Sequence, residues 1–166
     1  MKITHLLFIL FGAFISCNEK LEDPEITFNN ERAVESTGSV ASQISELKKA
    51  GYQIFDYVDE ESGDTIIMQE YYMAFLKRGP NRNQSKTEAD SLQKLHMAHL
   101  GRMYKEGFAD ISGPFGDDQE IRGITIYSVP NLKMADSLAN LDPMVKAGRL
   151  EIEIRPWWAG KGFPLR

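Results

Sequence analysis

Residues 108–129 read FADISGPFGDDQEIRGITIYSV, and that stretch decides the fold. Phe108 to Ser112 is a short run closed by Gly113-Pro114. Gly116, Asp117 and Asp118 supply turn residues, and from Arg122 to Val129 the apolar Ile124 and Ile126 alternate with Gly123, Thr125 and Tyr127. Two such runs, separated by glycine, proline and aspartate, predict two strands joined by a loop. On either side the apolar period changes from two to about 3.6. Upstream, Leu92, Leu95, His96, Leu100, Met103 and Tyr104 make a stripe on a helix running from Thr87 to about Glu106, with Gly107 as its stop. Thr87 and Asp90 form a variant of the capping box at its start. Before that helix, residues 80–86 (PNRNQSK) are a polar loop, and Tyr71 to Leu76 (YYMAFL) read as a buried strand. Downstream, a helix is expected over about Leu132 to Leu141. Asp142-Pro143 follows, then a further helical turn from Met144 to Ala147, stopped by Gly148. Leu150 to Pro156 alternates as a last strand, and the tail WWAGKGFPLR reads as irregular.

The order is strand, helix, strand, strand, helix, strand. That βαββαβ order predicts an α+β, ferredoxin-like sandwich: an antiparallel sheet covered on one face by two helices. The uncovered face must bury its apolar residues against something. Sheet-on-sheet pairing of two copies does this, so a homodimer is expected, with Trp157 and Trp158 as interface residues.

The rest of the chain narrows the setting. It has 166 residues, 42% of them hydrophobic, which is globular rather than disordered composition. Its formal net charge of -5 argues against a nucleic-acid partner, which would demand clustered Lys and Arg. One cysteine, Cys17, excludes an internal disulfide framework and a cysteine-based zinc site. Residues 1–16, MKITHLLFILFGAFIS, have the plan of a secretory signal peptide, with Lys2 before an apolar run and small Ser16 after it. The run from Leu6 to Ile15 is shorter than the roughly 20 residues that cross a bilayer. Ile15-Ser16-Cys17 resembles the lipobox of bacterial lipoproteins, in which the cysteine becomes the lipidated first residue. This implies an envelope protein whose membrane contact is an N-terminal lipid on Cys17. Residues 17–39 read as a polar tether, and 40–68 as an N-terminal helical extension whose Val40, Ile44 and Leu47 are spaced for a short helix. Residues 56–64, DYVDEESGD, are an acidic turn without the spaced ligand order of a calcium-binding EF-hand loop.

Four pieces of the chain carry a more specific resemblance. They are AFLKRGP (74–80), HMAHLGRMYKEGFADISGPF (96–115), DPMVKAGRL (142–150) and EIRPWW (153–158). In this order and spacing the segment resembles the YciI-like (YCII-related domain) family, and within it the lipoprotein branch. The domain is expected over residues 69–158, with 159–166 as a C-terminal tail. The resemblance implies the dimeric α+β barrel type of sandwich. It also implies a paired histidine and aspartate as the active-site candidates. The family's histidine lies seventeen residues before the glycine of Gly-Pro, which selects His96 rather than His99, and its aspartate falls on Asp142. Related folds include lactone isomerases and enzymes of aromatic breakdown, so a small aromatic or lactone ligand is implied by analogy.

Such a pair is a coherent acid–base unit. The carboxylate fixes the imidazole tautomer and stabilises its protonated form. No serine or cysteine nucleophile stands beside it, which favours proton transfer, isomerisation or elimination over acyl transfer. Simpler roles stay open. Asp142 before Pro143 is also a good helix N-cap, and His96 on an apolar stripe also fits a hydrogen-bonded core residue. His96 and His99 share a helix face, but no third metal ligand has diagnostic spacing, so no metal is implied. Arg122 could orient an anionic substrate, or pair with a surface acid. No glycine loop of a nucleotide site is present, and no cofactor is implied. Two function classes follow. One is a lipid-anchored isomerase or lyase using His96 and Asp142. The other is a non-catalytic envelope module that binds a ligand or a protein on the same scaffold.

Overall fold

Fourteen residues of one long strand organise the molecule. In the computed structural model, which describes residues 39–165, the chain runs α1 (Val40–Lys49), β1 (Ile54–Val58), β2 (Thr65–Arg78), α2 (Lys86–Lys105), β3 (Ala109–Pro114), β4 (Ile121–Tyr127), α3 (Leu132–Ala139), α4 (Pro143–Lys146) and β5 (Leu150–Gly160). The signal peptide, Cys17 and residues 17–38 of the expected tether lie outside the described residues.

All strand pairings are antiparallel. β5 lies along one edge of β2, from Met68 opposite Gly160 to Arg78 opposite Leu150. The other edge is shared end to end: β1 pairs residues 65–69 and β4 pairs residues 72–77. β3 then flanks β4. From β2 onward the order across the sheet is β5-β2-β4-β3, with each helical crossover joining two parallel strands that have a third between them, which is the ferredoxin-like βαββαβ plan. The protein is thus a mixed α+β molecule with a five-stranded antiparallel sheet. Helices cover one face of it. Tyr72, Ala74 and Tyr127 of the sheet pack with Met103 of α2 and with Ala135 and Ala139 of α3. A second cluster joins Leu76 and Leu150 to Met144 of α4.

The structure departs from the sequence reading at four places, each for a local reason. β2 begins at Thr65, not Tyr71. The polar residues that made its first half look like a boundary find partners inside the fold, although the buried Gln69 Oε1 has none. Gln69, fully buried, donates to Ser128 Oγ at 3.1 Å, and Glu70 accepts from the Tyr72 hydroxyl at 2.9 Å. The segment 40–68 is helical only over α1; it continues into β1 and the opening of β2, joined by the acidic turn. In that turn the Asp59 carboxylate accepts from the Ser62 and Glu61 N–H groups, which holds it below the usual carboxylate range, and Gly63 takes φ 74°. Ser85 rather than Thr87 caps α2, because its hydroxyl accepts from the Glu88 N–H at 3.2 Å and places Thr87 inside the first turn. Finally, Trp157 to Gly160 are strand, not tail. The extra length of β2 gives them partners, and Pro156 is tolerated because β5 is an edge strand.

The face away from the helices carries a row of large side chains. Tyr71 lies 6.3 Å from Trp157 between ring centroids, and the Arg155 guanidinium sits over the Phe75 ring; Trp158, expected beside Trp157 at an interface, instead alternates to the helix-bearing side, opposite Glu70 in the register and 5.2 Å from Phe55. Trp157 and Trp158 are 42% and 41% exposed. No helix among the described residues is long and apolar enough to cross a membrane.

Candidate active site

His96 and Asp142 come from the middle of α2 and the residue that starts α4, 46 positions apart. Both are buried, at 8% and 3% exposure, and His96 Nδ1 lies 2.6 Å from Asp142 Oδ2. The other oxygen of the same carboxylate, Oδ1, accepts from the Met144 N–H at 2.8 Å. Asp142 therefore does both things its sequence position allowed. One oxygen caps α4, with Pro143 at the first helical position, and the other meets the histidine. The cap is also what fixes the carboxylate's direction. An Asp142 that bonds its own helix start cannot swing away from the imidazole without giving up that bond.

The arrangement fixes the chemistry of the ring. An ionised carboxylate only accepts, so the proton of a neutral His96 sits on Nδ1 and Nε2 keeps its lone pair. His96 borders a cavity of about 470 Å³, within the usual range for a small-ligand site. Leu76, Met97, Leu100, Met144 and Leu150 give that cavity an apolar wall. A histidine on a cavity wall, with a buried carboxylate against its Nδ1, can support general acid–base chemistry. Tyr127 is buried near the pair, and burial together with the Asp142 charge pushes its phenol well above the usual range, so it stays neutral.

The other sequence candidates sort differently. His99 is not on the cavity. It is 5% exposed, its Nδ1 faces Arg102 Nη2 at 3.3 Å, and burial holds its pKa below the usual value, so it is a neutral core residue. Among the described residues no three His, Cys, Asp or Glu side chains are grouped to hold a metal ion. Arg122 does border the cavity. Its guanidinium also pairs with Asp118 and donates to the Gln119 carbonyl at 3.2 Å, which is the surface-acid reading of this residue.

Two site residues escaped the sequence reading. Arg82, in the loop before α2, and Arg149, just before β5, line the same cavity. They are brought together by backbone bonds between their loops. The Gly79 N–H donates to the Arg149 carbonyl at 3.0 Å and the Asn81 N–H to the Gly148 carbonyl at 2.9 Å. Gly148 has φ 68°, and a Cβ there would collide with the Asn81 side chain. The only signal in the sequence was the glycine that closes each loop against the other, Gly79 and Gly148.

Comparison with known proteins follows the same segment. A profile of the YCII-related domain matches residues 71–158. No curated protein matches the sequence. Among solved structures the chain is similar to a 5-chloro-2-hydroxyhydroquinone dehydrochlorinase from Burkholderia phenoliruptrix AC1100, in complex with 2,5-dihydroxybenzoquinone. The TM-score is 0.40 and the sequence identity 19%, over 52% of this chain and 92% of that one. The domain match spans more than half of the sequence and contains β4, both halves of the His96–Asp142 pair and nearly all of β5; on that ground the chain belongs to the YCII-related domain family.

Proposed function

We propose that this protein is a lipid-anchored, homodimeric envelope enzyme that performs acid–base chemistry, of isomerase or lyase type, on a small aromatic or lactone substrate. The observation that carries the reading is the buried 2.6 Å contact between His96 Nδ1 and Asp142 Oδ2 at the wall of a cavity. His96 Nε2 takes a proton from an acidic carbon or a phenol. Asp142 stabilises the imidazolium so formed, and the same nitrogen returns the proton elsewhere on the substrate. Arg122 helps to orient the substrate from the cavity's edge. The apolar wall keeps water from competing for the proton.

The anchor rests on Ile15-Ser16-Cys17 behind the apolar run of residues 6–15. Incorporation of a labelled fatty acid, absent in Cys17→Ser, tests it. The homodimer rests on the half-exposed Trp157, which lies with Tyr71 and Phe75 on the face the helices leave open.

Proton transfer is read directly as solvent deuterium entering a panel of small lactones, phenols and hydroxylated aromatic acids, followed by NMR. The wild type is expected to catalyse exchange with at least one class. His96→Gln should lose about 10²–10⁴ in rate while keeping its circular dichroism and melting transition. Exchange that survives in His96→Gln refutes the role of the pair. Binding without exchange anywhere in the panel would replace the enzyme by a ligand-binding module.

A further inference from the structure

We propose that Arg82 and Arg149 form a clamp for an oxyanion, so that the cavity selects small organic molecules carrying a carboxylate or a phosphate on an apolar body. The inference rests on the acid–base reading only in taking the same cavity as the substrate site. The argument begins with a charge imbalance. Three arginines, Arg82, Arg122 and Arg149, border one cavity in a chain whose formal net charge is -5. The carboxylates nearby are already engaged. Asp118 pairs with both Arg78 and Arg122, and Asp90, the acid on the cavity wall, pairs with Lys86 at 2.6 Å. Among the described residues no carboxylate pairs with Arg82 or Arg149.

What those two guanidiniums do bond is neutral and positional. Arg82 Nη1 donates to the Arg149 carbonyl at 3.2 Å, and Arg149 Nη1 donates to Gln84 Oε1 at 2.9 Å. Each fork is thus steadied by one arm, with further N–H donors for a ligand. Four arginines, Arg78, Arg82, Arg122 and Arg149, gather around one carboxylate, Asp118, and the excess of like charge repels. Partial desolvation, then the charges of Arg149, Arg78 and Arg122, hold the Arg82 guanidinium below its usual pKa against the opposing charge of Asp118. A bound oxyanion removes that repulsion and meets a planar fork whose geometry suits it. Arg122 is less available, since Asp118 already neutralises it. The remaining wall, from Leu76, Met97, Leu100, Met144 and Leu150, suits an apolar body rather than a sugar or a peptide.

Calorimetric titration of the full chain with benzoate, phenyl phosphate and benzamide tests the clamp. The three probes share a ring and differ in the charged group. The wild type is expected to bind at least one oxyanion about tenfold or more tightly than benzamide, and the comparison of benzoate with phenyl phosphate names which oxyanion it takes. The double variant Arg82→Gln/Arg149→Gln should lose that preference and keep its benzamide affinity, which also reports an intact cavity. Arg78→Gln, which removes one positive charge away from the cavity wall, should keep the preference. Equal binding of all three probes, no oxyanion binding, or a preference that survives the double variant each overturn the proposal. His96→Gln separates the two readings. The oxyanion preference persists there whether or not proton exchange depends on His96, so either reading can fail alone.

Discussion

Asp142 holds two partners with two oxygens, and two substitutions pull these roles apart. Asp142→Asn keeps a carbonyl oxygen that can cap α4, because asparagine caps as well as aspartate. It turns an N–H group toward His96 Nδ1, which must then accept. The ring proton moves to Nε2, and the base is lost. Asp142→Ala removes both oxygens. The cap at 2.8 Å to Met144 N contributes about 1 kcal/mol, within a range of about 0.5–2. The charge-assisted bond at 2.6 Å to His96 contributes about 1.5–3 kcal/mol. Asn exchanges the charge-assisted bond for a neutral one of about 0.5–1.5 kcal/mol, so the expected losses are about 1–1.5 kcal/mol for Asn and about 2.5–4 kcal/mol for Ala. The gap of about 2 kcal/mol corresponds to roughly 6–10 °C in melting temperature for a domain of this size. Activity should rank the other way. Asn enforces the wrong tautomer and should lose about 10²–10⁴ in proton exchange, whereas Ala leaves the tautomer unfixed and should lose no more than Asn. Thermal melts and the deuterium-exchange assay, run on both variants, read the two orders. An Asn variant that exchanges like wild type, or an Ala variant as stable as Asn, would refute the division of labour between the two oxygens.

Other predictions use other parts of the molecule. His99 is buried and its pKa is lowered by burial, with the Asp142 charge opposing and Arg102, His96 and Lys146 assisting. Its folded pKa lies below the unfolded value of about 6.5, so below that pH the unfolded chain binds more protons. Stability should be full above about pH 6.5 and fall as the pH drops toward the folded pKa, and His99→Leu should flatten that fall in urea titrations. An unchanged slope in the variant would assign the acid sensitivity elsewhere. Gly148→Ala, at φ 68° and against Asn81, should cost about 1–3 kcal/mol and weaken oxyanion binding, because the turn it distorts carries Arg149. Wild-type stability and binding together would show that the turn relaxes freely. Light scattering should find a dimer in the wild type and a monomer in Trp157→Ala; a monomeric wild type, or a variant that stays dimeric, removes the open sheet face as the interface.

How far the sequence could be read follows from the range over which each feature is determined. The two crossover helices and the β3–β4 pair announce themselves through local period and through Gly107, Gly113-Pro114 and Gly148, so their existence could be read in place. The length of β2 could not. Gln69 and Glu70 look like the end of a strand until Ser128, 59 positions from Gln69, supplies the buried partner. The extension of β5 through both tryptophans then follows from β2, so one hidden hydrogen bond moves the ends of two strands. The same logic divides the site. Asp142 was visible because Asp-Pro before a helical turn is a local cap signal, and a cap already fixes one carboxylate oxygen. Its partner came only through the resemblance to the YciI-like family, whose histidine position, counted back from Gly113, falls on His96. Arg82 and Arg149 had no such local mark. Each is an ordinary basic residue in a loop, and only the bonds from Gly79 and Asn81 across to the turn at Gly148 and Arg149 bring them to one cavity. The His96–Asp142 contact is therefore written into helix ends and strand periods, whereas the proposed arginine clamp is written into the packing of two loops. Substitutions in the loop 80–86 should then change which ligand is bound while leaving the His96–Asp142 contact in place, because that contact is held by α2 and the α4 cap and not by the loop.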